Sequence, residues 1–387
     1  MGVNSLLTSL SMLALPMQRA LASDTLQWTS GFLTSTFGPN AGAEFDRDLK
    51  MFHSIRLSAI SISEASGEVG LAPLSNIIFH LRSIAPRLVE YQNNLTMTFV
   101  YQDAFKPSRI THSKNLYYDL STFLWNFAAL NSQMGSRMDR SSDDGIRAAN
   151  KHFQTAAGAL DWISGNCSPH IIDDGLRGPI TVSLLKMMSM LMLAQAQLCF
   201  YEKAVRDRKA GLMKPLIIAK LAAQTSVFYK SCTDRSNDEF CRNYIDASWR
   251  SHADFQHRCF AAAAEYWQSQ AAREEAQSKG CGYGEEIARL IRASSMLEKT
   301  VEFAAVNKLG VSLTNGAAAL QRTVDSAKAA AEEDNRKVYM ESVPSDSSLA
   351  AVSPVAMAKP LQLCDYQGDS SLHISSSKVD IMIMHDV

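Results

Sequence analysis

The sequence predicts a mainly α-helical protein with a small β-sheet near its N-terminal part. Three observations carry that prediction. Apolar residues recur at three- and four-residue spacing through most of residues 140–340. One stretch just before residue 102 switches to a period of two. The composition is globular: 46% hydrophobic and 20% charged, with 19 Gly and 11 Pro in 387 residues. A chain of this length buries about three quarters of its unfolded surface and needs no disulfide or metal staple.

Residues 25–90 read as helices joined by loops. Phe45, Leu49, Phe52 and Ile55 step at helical spacing, and so do Ile77, Ile78, Leu81 and Ile84. Leu95 to Tyr101 alternates and is rich in β-branched and aromatic residues, which predicts a strand. Leu116-Tyr117-Tyr118 is the candidate for a second. Beyond it the chain reads as helical almost to residue 340. Ile146, Ala149, Phe153, Ala156, Leu160 and Ile163 form one apolar stripe, preceded by Asp143 and Asp144, which suit the positive end of a helix dipole.

Thr181 to Tyr201 is apolar nearly all round and includes Met187, Met188, Met190 and Met192. It is long enough to span a bilayer. Lys186, Gln195 and Gln197 within it are costly in hydrocarbon, so a central buried helix is predicted, its methionines acting as core filler. Ala210-Gly211 breaks this helix, and Pro215 suits the first turn of the next, which carries Leu216, Ile217, Ile218, Leu221, Val227 and Phe228. A polar turn is expected over 232–242, helices over 243–275 and 284–308, and a last helix over 312–340 closed by Val343-Pro344. No fixed internal period is visible, but successive helical hairpins of this kind stack like a solenoid.

The ends are read apart from the body. Met1 to Gln18 carries no charged side chain, and Ala20-Leu21-Ala22 imitates a cleavage site. A signal peptide would want basic residues before its apolar core, and Pro16 interrupts the run. Ser5 lies one place early for the usual myristoylation pattern after Gly2. A leader, an acylated terminus and a segment packed on the domain all stay open for residues 1–24, the last being favoured. Residues 361–387 are expected to be a mobile Ser-rich tail without a prenylation box.

The 38 basic and 39 acidic residues leave a net charge of −1, which gives no global drive towards nucleic acid. The seven cysteines are irregularly spaced without a CxxC, so a reducing compartment is expected rather than a disulfide framework. There is no phosphate-binding GxxxxGK[ST] loop, no GxSxG elbow and no HExxH. His252 and His257 are splayed by their five-residue spacing and are expected at the surface or at caps. The adjacent carboxylates Asp143/Asp144, Glu285/Glu286 and Glu332/Glu333 are expected on helix ends or solvated faces rather than converging in a cleft. No catalytic residue, metal site, cofactor or small-molecule substrate is expected, and the chain reads as a non-enzyme.

Several ordered strings resemble one family. They are Thr98-Phe99-Val100-Tyr101-Gln102-Asp103-Ala104-Phe105; Asn126-Phe127-Ala128-Ala129-Leu130 with Ser132-Gln133; Ala148 to Gln154 with Ala157-Gly158-Ala159; Leu191 to Gln197 with Phe200-Tyr201 and Lys203-Ala204; Ile217 to Gln224; Tyr283 to Leu290; and Asp334-Asn335 followed by Val338-Tyr339 and Val343-Pro344. In order and spacing they resemble the Bro-one domain, the N-terminal module of ALIX-type and Rim-type endosomal adaptors, over roughly residues 25–360. The resemblance implies one elongated, curved helical domain with a tetratricopeptide-like solenoid core and a small sheet. It implies a non-enzymatic adaptor that binds the C-terminal amphipathic helix of a filament-forming ESCRT-III (charged multivesicular body) subunit. Such an adaptor is cytoplasmic, sits peripherally on endosomal membranes, and serves multivesicular body formation or related membrane remodelling.

Carried over position by position, the family's binding patch falls on Phe200 as aromatic anchor, on Ile217 and Leu221 as aliphatics sharing a helix face, and on Asp143 and Arg147 as polar rim. Met357 belongs to the same patch by this alignment, and Tyr339 falls near a regulatory, phosphorylation-type position. Read from the residues alone, Phe200, Ile217 and Leu221 would more often be core than interface, and it is the resemblance that reverses that expectation. Leu198 replaces an acidic residue common after the Ala-Gln-Ala-Gln string, the loop Arg208 to Met213 is longer than usual, and Tyr101 stands where Trp is common. The coiled-coil domain and Pro-rich tail of the large adaptors are not in this sequence. Two other functions fit the same residues: a scaffold for another client, such as an ambient-pH signalling protease complex, and a direct peripheral membrane-binding module.

Overall fold

The computed structural model describes residues 7, 10–21, 30–35, 38–40, 43, 45–88, 98–171 and 178–363. The N-terminal residues that include Gly2 and Ser5, the strand residues Leu95 to Met97 and the tail from residue 364 lie outside them. Residues 14–134, 158–185 and 361–387 cluster as one unit, and residues 1–13, 135–157 and 186–360 as another.

The first of these carries a three-stranded antiparallel sheet in the order β1 (Arg19–Leu21), β2 (Phe99–Gln102), β3 (Ile110–Ser113). Central Tyr101 stands opposite Ala20 on one side and Thr111 on the other. Helices α1 (Asp46–Ile60), α2 (Leu71–Leu88) and most of α3 (Leu116–Arg137) complete it. The candidate strand at Leu116–Tyr118 is thus corrected: it is the first turn of α3. Asn115 decides the matter, since its buried side-chain oxygen accepts the N–H groups of Tyr117 (2.8 Å) and Tyr118 (3.3 Å) and caps a helix there. The strand pairing with β2 lies just upstream instead.

Beneath the sheet, Arg56 of α1 is buried and forks onto Asp119 of α3 at 2.8 and 2.6 Å. Its guanidinium also lies over the Phe99 (4.8 Å) and Phe123 (5.1 Å) rings, which adds cation–π attraction to the ion pair. The Tyr101 hydroxyl accepts a further bond from Arg56 at 3.4 Å. An indole N–H, a donor only, could not do that, which gives the tyrosine at this position a physical reason.

The N-terminal segment packs on helices, but not as a strand until residue 19. Leu15 N–H donates to Ser132 Oγ (2.8 Å), while Gln133 donates to Leu15 C=O (2.9 Å). Trp125 donates to Pro16 C=O (2.9 Å), and Asn126 pairs reciprocally with the Gln18 peptide at 2.8 Å in both directions.

The other unit holds α4 (Asp143–Trp162) up to residue 157 and α5 (Val182–Lys209) from residue 186. It also holds α6 (Pro215–Ser236), α7 (Glu239–Tyr244), α8 (Ala247–Lys279), α9 (Tyr283–Val306) and α10 (Val311–Asp334). Helix α6 packs on α8, α8 on α9 and α9 on α10, a stack of successive hairpins. Helix α5 is long and apolar enough to cross a membrane, with a mean hydropathy of 1.4 in its best window, yet 78% of that window is buried. Met187, Met188, Met192 and Leu198 are in its core, so α5 is the central helix the sequence predicts.

Several boundaries differ from expectation. The segment 232–242 is not one polar turn: α6 runs on to Ser236, and Asp238 caps the short α7 by accepting Phe240 N–H at 3.0 Å. The last helix ends at Asp334 rather than near 340. Asn335 clasps the Glu341 peptide in both directions at 3.0 Å and closes a wide turn, leaving Met340 left-handed at φ 53°. Glu286 sits in the first turn of α9, at a helix end as expected, but it is buried there, and burial raises its pKa. His252 is buried too, and His257 is half-buried, with its Nδ1 2.8 Å from Ser226 Oγ.

Burial alone pushes the His252 pKa from 6.5 down to about 4. Between those values the unfolded chain binds a proton that the folded chain does not, so stability falls as pH falls from 6.5 to 4. His252→Leu is expected to remove about one proton from that slope, roughly 1.4 kcal/mol per pH unit, in urea midpoints compared across this range. Parallel pH profiles for wild type and variant would refute the assignment.

A solvent-open groove between two helices and a strap

The chain after α10 runs as a largely extended strap over residues 340–360, laid across the helices of the same stacked-hairpin unit. Polar side chains of the strap and of those helices place it stage by stage. Glu341 accepts the N–H groups of Gly282 (2.8 Å) and Gly284 (3.1 Å) at the start of α9. Gly284 must be glycine for a packing reason: a Cβ there would lie 2.3 Å from Ser342 C=O. Arg292 donates to Asp346 at 2.6 Å, and buried Arg289 donates to Ala350 C=O at 3.0 Å while pairing with buried Glu265 at 2.9 Å.

Further on, the strap crosses α5 and α6. Val355 N–H donates to Lys220 C=O on α6 (3.2 Å), and Gln197 of α5 donates to Val355 C=O (3.0 Å). The Gln197 oxygen accepts both Met357 and Ala358 N–H at 3.0 Å, and Gln154 of α4 accepts Lys359 N–H at 3.0 Å. Gln195, two residues before Gln197, clasps the Leu13 peptide at 2.6 and 2.9 Å.

Helix α5, helix α6 and this strap enclose an open groove of about 220 Å³. Phe200, Lys203, Ala204 and Asp207 line it from α5, Ile217, Lys220 and Leu221 from α6, and Val355 and Met357 from the strap. Met213 enters from the loop between the helices, where Arg208 donates to its carbonyl (3.3 Å) and pairs with Glu274 of α8. The surface is apolar and partly wet: Ile217 is 43% exposed, Val355 40% and Met357 50%, while Phe200 is half-buried and Leu221 buried. Soluble proteins rarely leave such residues contiguous and open unless something docks on them.

Four of the sequence-assigned residues therefore converge here: Phe200, Ile217, Leu221 and Met357. Asp143 reaches the groove's edge through Lys203 (3.3 Å) and pairs with Arg206 (2.7 Å). Arg206, then Lys203, holds its carboxyl below the usual carboxylate range. Arg147 is one turn further along α4, exposed, 3.5 Å from Asp144, and not part of the lining. Tyr339 is elsewhere on the unit, its ring stacked on Tyr283 at 3.5 Å. Leu198 is fully buried and does not line the groove. Lys203, Lys220, Met213 and Val355 escaped sequence reading. The two lysines look like ordinary solvated charges, and Met213 and Val355 sit in loop and strap, where no periodicity marks a face.

A stacked-hairpin helical domain with a small sheet and an open apolar groove is the class of protein that fold and site define. Residues 12–382 match the family model of the BRO1-like domain, and the chain belongs to that family. It is 25% identical over 358 residues to the vacuolar-sorting protein BRO1 of Arabidopsis thaliana, covering 92% of this chain and 41% of that protein. It is 30% identical over 330 residues to the pH-response regulator palA/RIM20 of Emericella nidulans, covering 83% and 36%. With the human programmed cell death 6-interacting protein it shares 29% over 344 residues, covering 85% and 36%. The chain thus spans about two fifths of the length of these curated relatives. Among solved structures, the ALIX BRO1 domain in its complex with CHMP4C superposes with a TM-score of 0.78 at 26% identity, over 91% of this chain and 96% of that one. ALIX bound to a viral late-domain peptide gives 0.79 at 25% identity, over 93% and 50%.

The Gly284 contact yields a stability prediction. Gly284→Ala must push Ser342 and the strap off α9, at a cost of about 1–3 kcal/mol in the urea midpoint. A variant as stable as wild type would show that the strap is not seated on α9.

Proposed function

We infer that this chain is a non-catalytic adaptor whose groove receives the C-terminal amphipathic helix of an ESCRT-III subunit, and that it acts peripherally on endosomal membranes. The observation that carries the reading is the convergence of Phe200, Ile217, Leu221 and Met357 on one open apolar groove. The BRO1 domain it superposes on was solved with CHMP4C, which supports the partner class. Helix-in-groove docking suits the geometry: apolar anchors one turn apart on the ligand would cover the half-exposed aliphatics.

The charges around the groove add to the reading. Lys203 is engaged by Asp143 and Asp207. Lys220 has no ion-pair partner among the described residues, so a ligand helix with an acidic residue beside its apolar stripe fits it. Asp143 and Arg147 then orient the ligand from the rim. Tyr339 serves as a regulatory position in this reading, since a phosphate on its partly exposed ring would add charge where that ring stacks on Tyr283. The relation to palA/RIM20 favours a second reading, a scaffold for a pH-response client that does not use the groove.

Calorimetric titration with C-terminal helix peptides of ESCRT-III subunits separates the two. Each buried anchor contributes about 1.5–3 kcal/mol before ordering costs, so a dissociation constant on the order of 1–10 μM is expected. Phe200→Asp is expected to weaken it roughly thirtyfold or more, with helix content unchanged, as for a central anchor. Equal affinity in the variant, or no binding by the wild type, would remove the groove from the adaptor's function.

A further inference from the structure

Gln197 lies one helical turn before Phe200 and is fully buried under the strap. Its side chain makes one donor and two acceptor bonds, to Val355 C=O, Met357 N–H and Ala358 N–H. Val355 N–H also donates to Lys220 on α6, so residues 355–358 bridge α5 and α6 along one side of the groove. Apolar burial does little to hold them there. Val355 and Met357 keep about half their surface in solvent, and Ala358 is the small residue that goes under. What fixes this wall is the polar clamp below it. Only an amide can do the work: a carboxylate has no N–H for Val355 C=O, and an aliphatic chain of the same size offers nothing.

We propose that Gln197 is the positioning residue of the groove: untouched by ligand, it sets Val355 and Met357 where a docked helix meets them. Ligand and strap then stabilise each other, because the helix covers the two half-exposed side chains that the clamp holds in place from beneath. This rests on the helix-docking reading above, and it names the residue on which that site's third wall depends.

A double-mutant cycle tests it, with the CHMP4C C-terminal helix peptide as probe. Gln197→Leu is expected to weaken binding roughly tenfold, a coupling typical of residues in direct contact. Val355→Ser with Met357→Ser removes the wall itself and should cost a similar factor. Adding Gln197→Leu to that pair should then cost nothing more. A loss as large in the wall-less chain as in wild type, or no loss from Gln197→Leu in either, overturns the proposal. Hydrogen exchange on the unaltered chain covers the case of a variant that does not fold: peptide must slow exchange at the Met357 and Ala358 amides, and unchanged rates there overturn it. If the wild type binds no peptide, the helix-docking reading fails by itself. Gln197→Leu must still speed exchange at Met357 and Ala358 while α8 keeps its protection, and unchanged rates then overturn the clamp as well.

Discussion

An extended segment lying on a helix finds few backbone partners there, because most of the helix's own groups are already paired. In this protein the answer is a set of buried amide side chains. Gln195 and Gln197, two residues apart on α5, each clasp a different extended segment, the N-terminal one at Leu13 and the C-terminal strap at Val355–Ala358. Gln154 accepts the Lys359 N–H, with its own N–H given to Asn150. In the sheet-bearing unit, Asn126 clasps Gln18 in the same way, while Leu15 is held by Gln133 at its C=O and Ser132 at its N–H. An amide both donates and accepts, so one side chain substitutes for one rung of a β-ladder. Remove that rung and the buried peptide groups are left unsatisfied, which costs more than the bond itself contributes.

The groove inherits its shape from this arrangement. Two of its walls are ordinary helix faces, with Phe200 on α5 and Ile217 and Leu221 on α6. The third is a strap whose outward side chains are half in water, so its position is set from beneath by polar contacts rather than by its own burial. A surface built this way stays open and apolar without collapsing, as a docking site for an amphipathic helix requires. The charges at its edge are paired, with Asp143 engaging both Lys203 and Arg206.

The helices were legible because they are long and periodic: the Ile146–Ile163 stripe and the Met-rich run of α5 are both core. Tyr117 and Tyr118 misled because β propensity is weaker than a capping Asn115 immediately before them. The first strand, Arg19–Leu21, is too short to show a period at all. The strap has no periodicity either, since what holds it lies in distant side chains. The strings that carried the family resemblance were readable as strings, while their meaning was not. Gln195 and Gln197 spoiled the apolar run of α5, and the structure shows why a buried helix tolerates them. Ile217 and Leu221 shared a visible face, but Val355 and Met213 could join them only through the fold.

The proposed docking mode makes the strap part of the receptor surface. A crystal structure of this chain with the C-terminal helix of an ESCRT-III subunit tests that claim most directly. The ligand helix is expected against Phe200, Ile217, Leu221 and Met357, with the Gln197 bonds to the strap intact. A ligand seated elsewhere, or one that displaces residues 355–358 to reach α5 and α6, would contradict it.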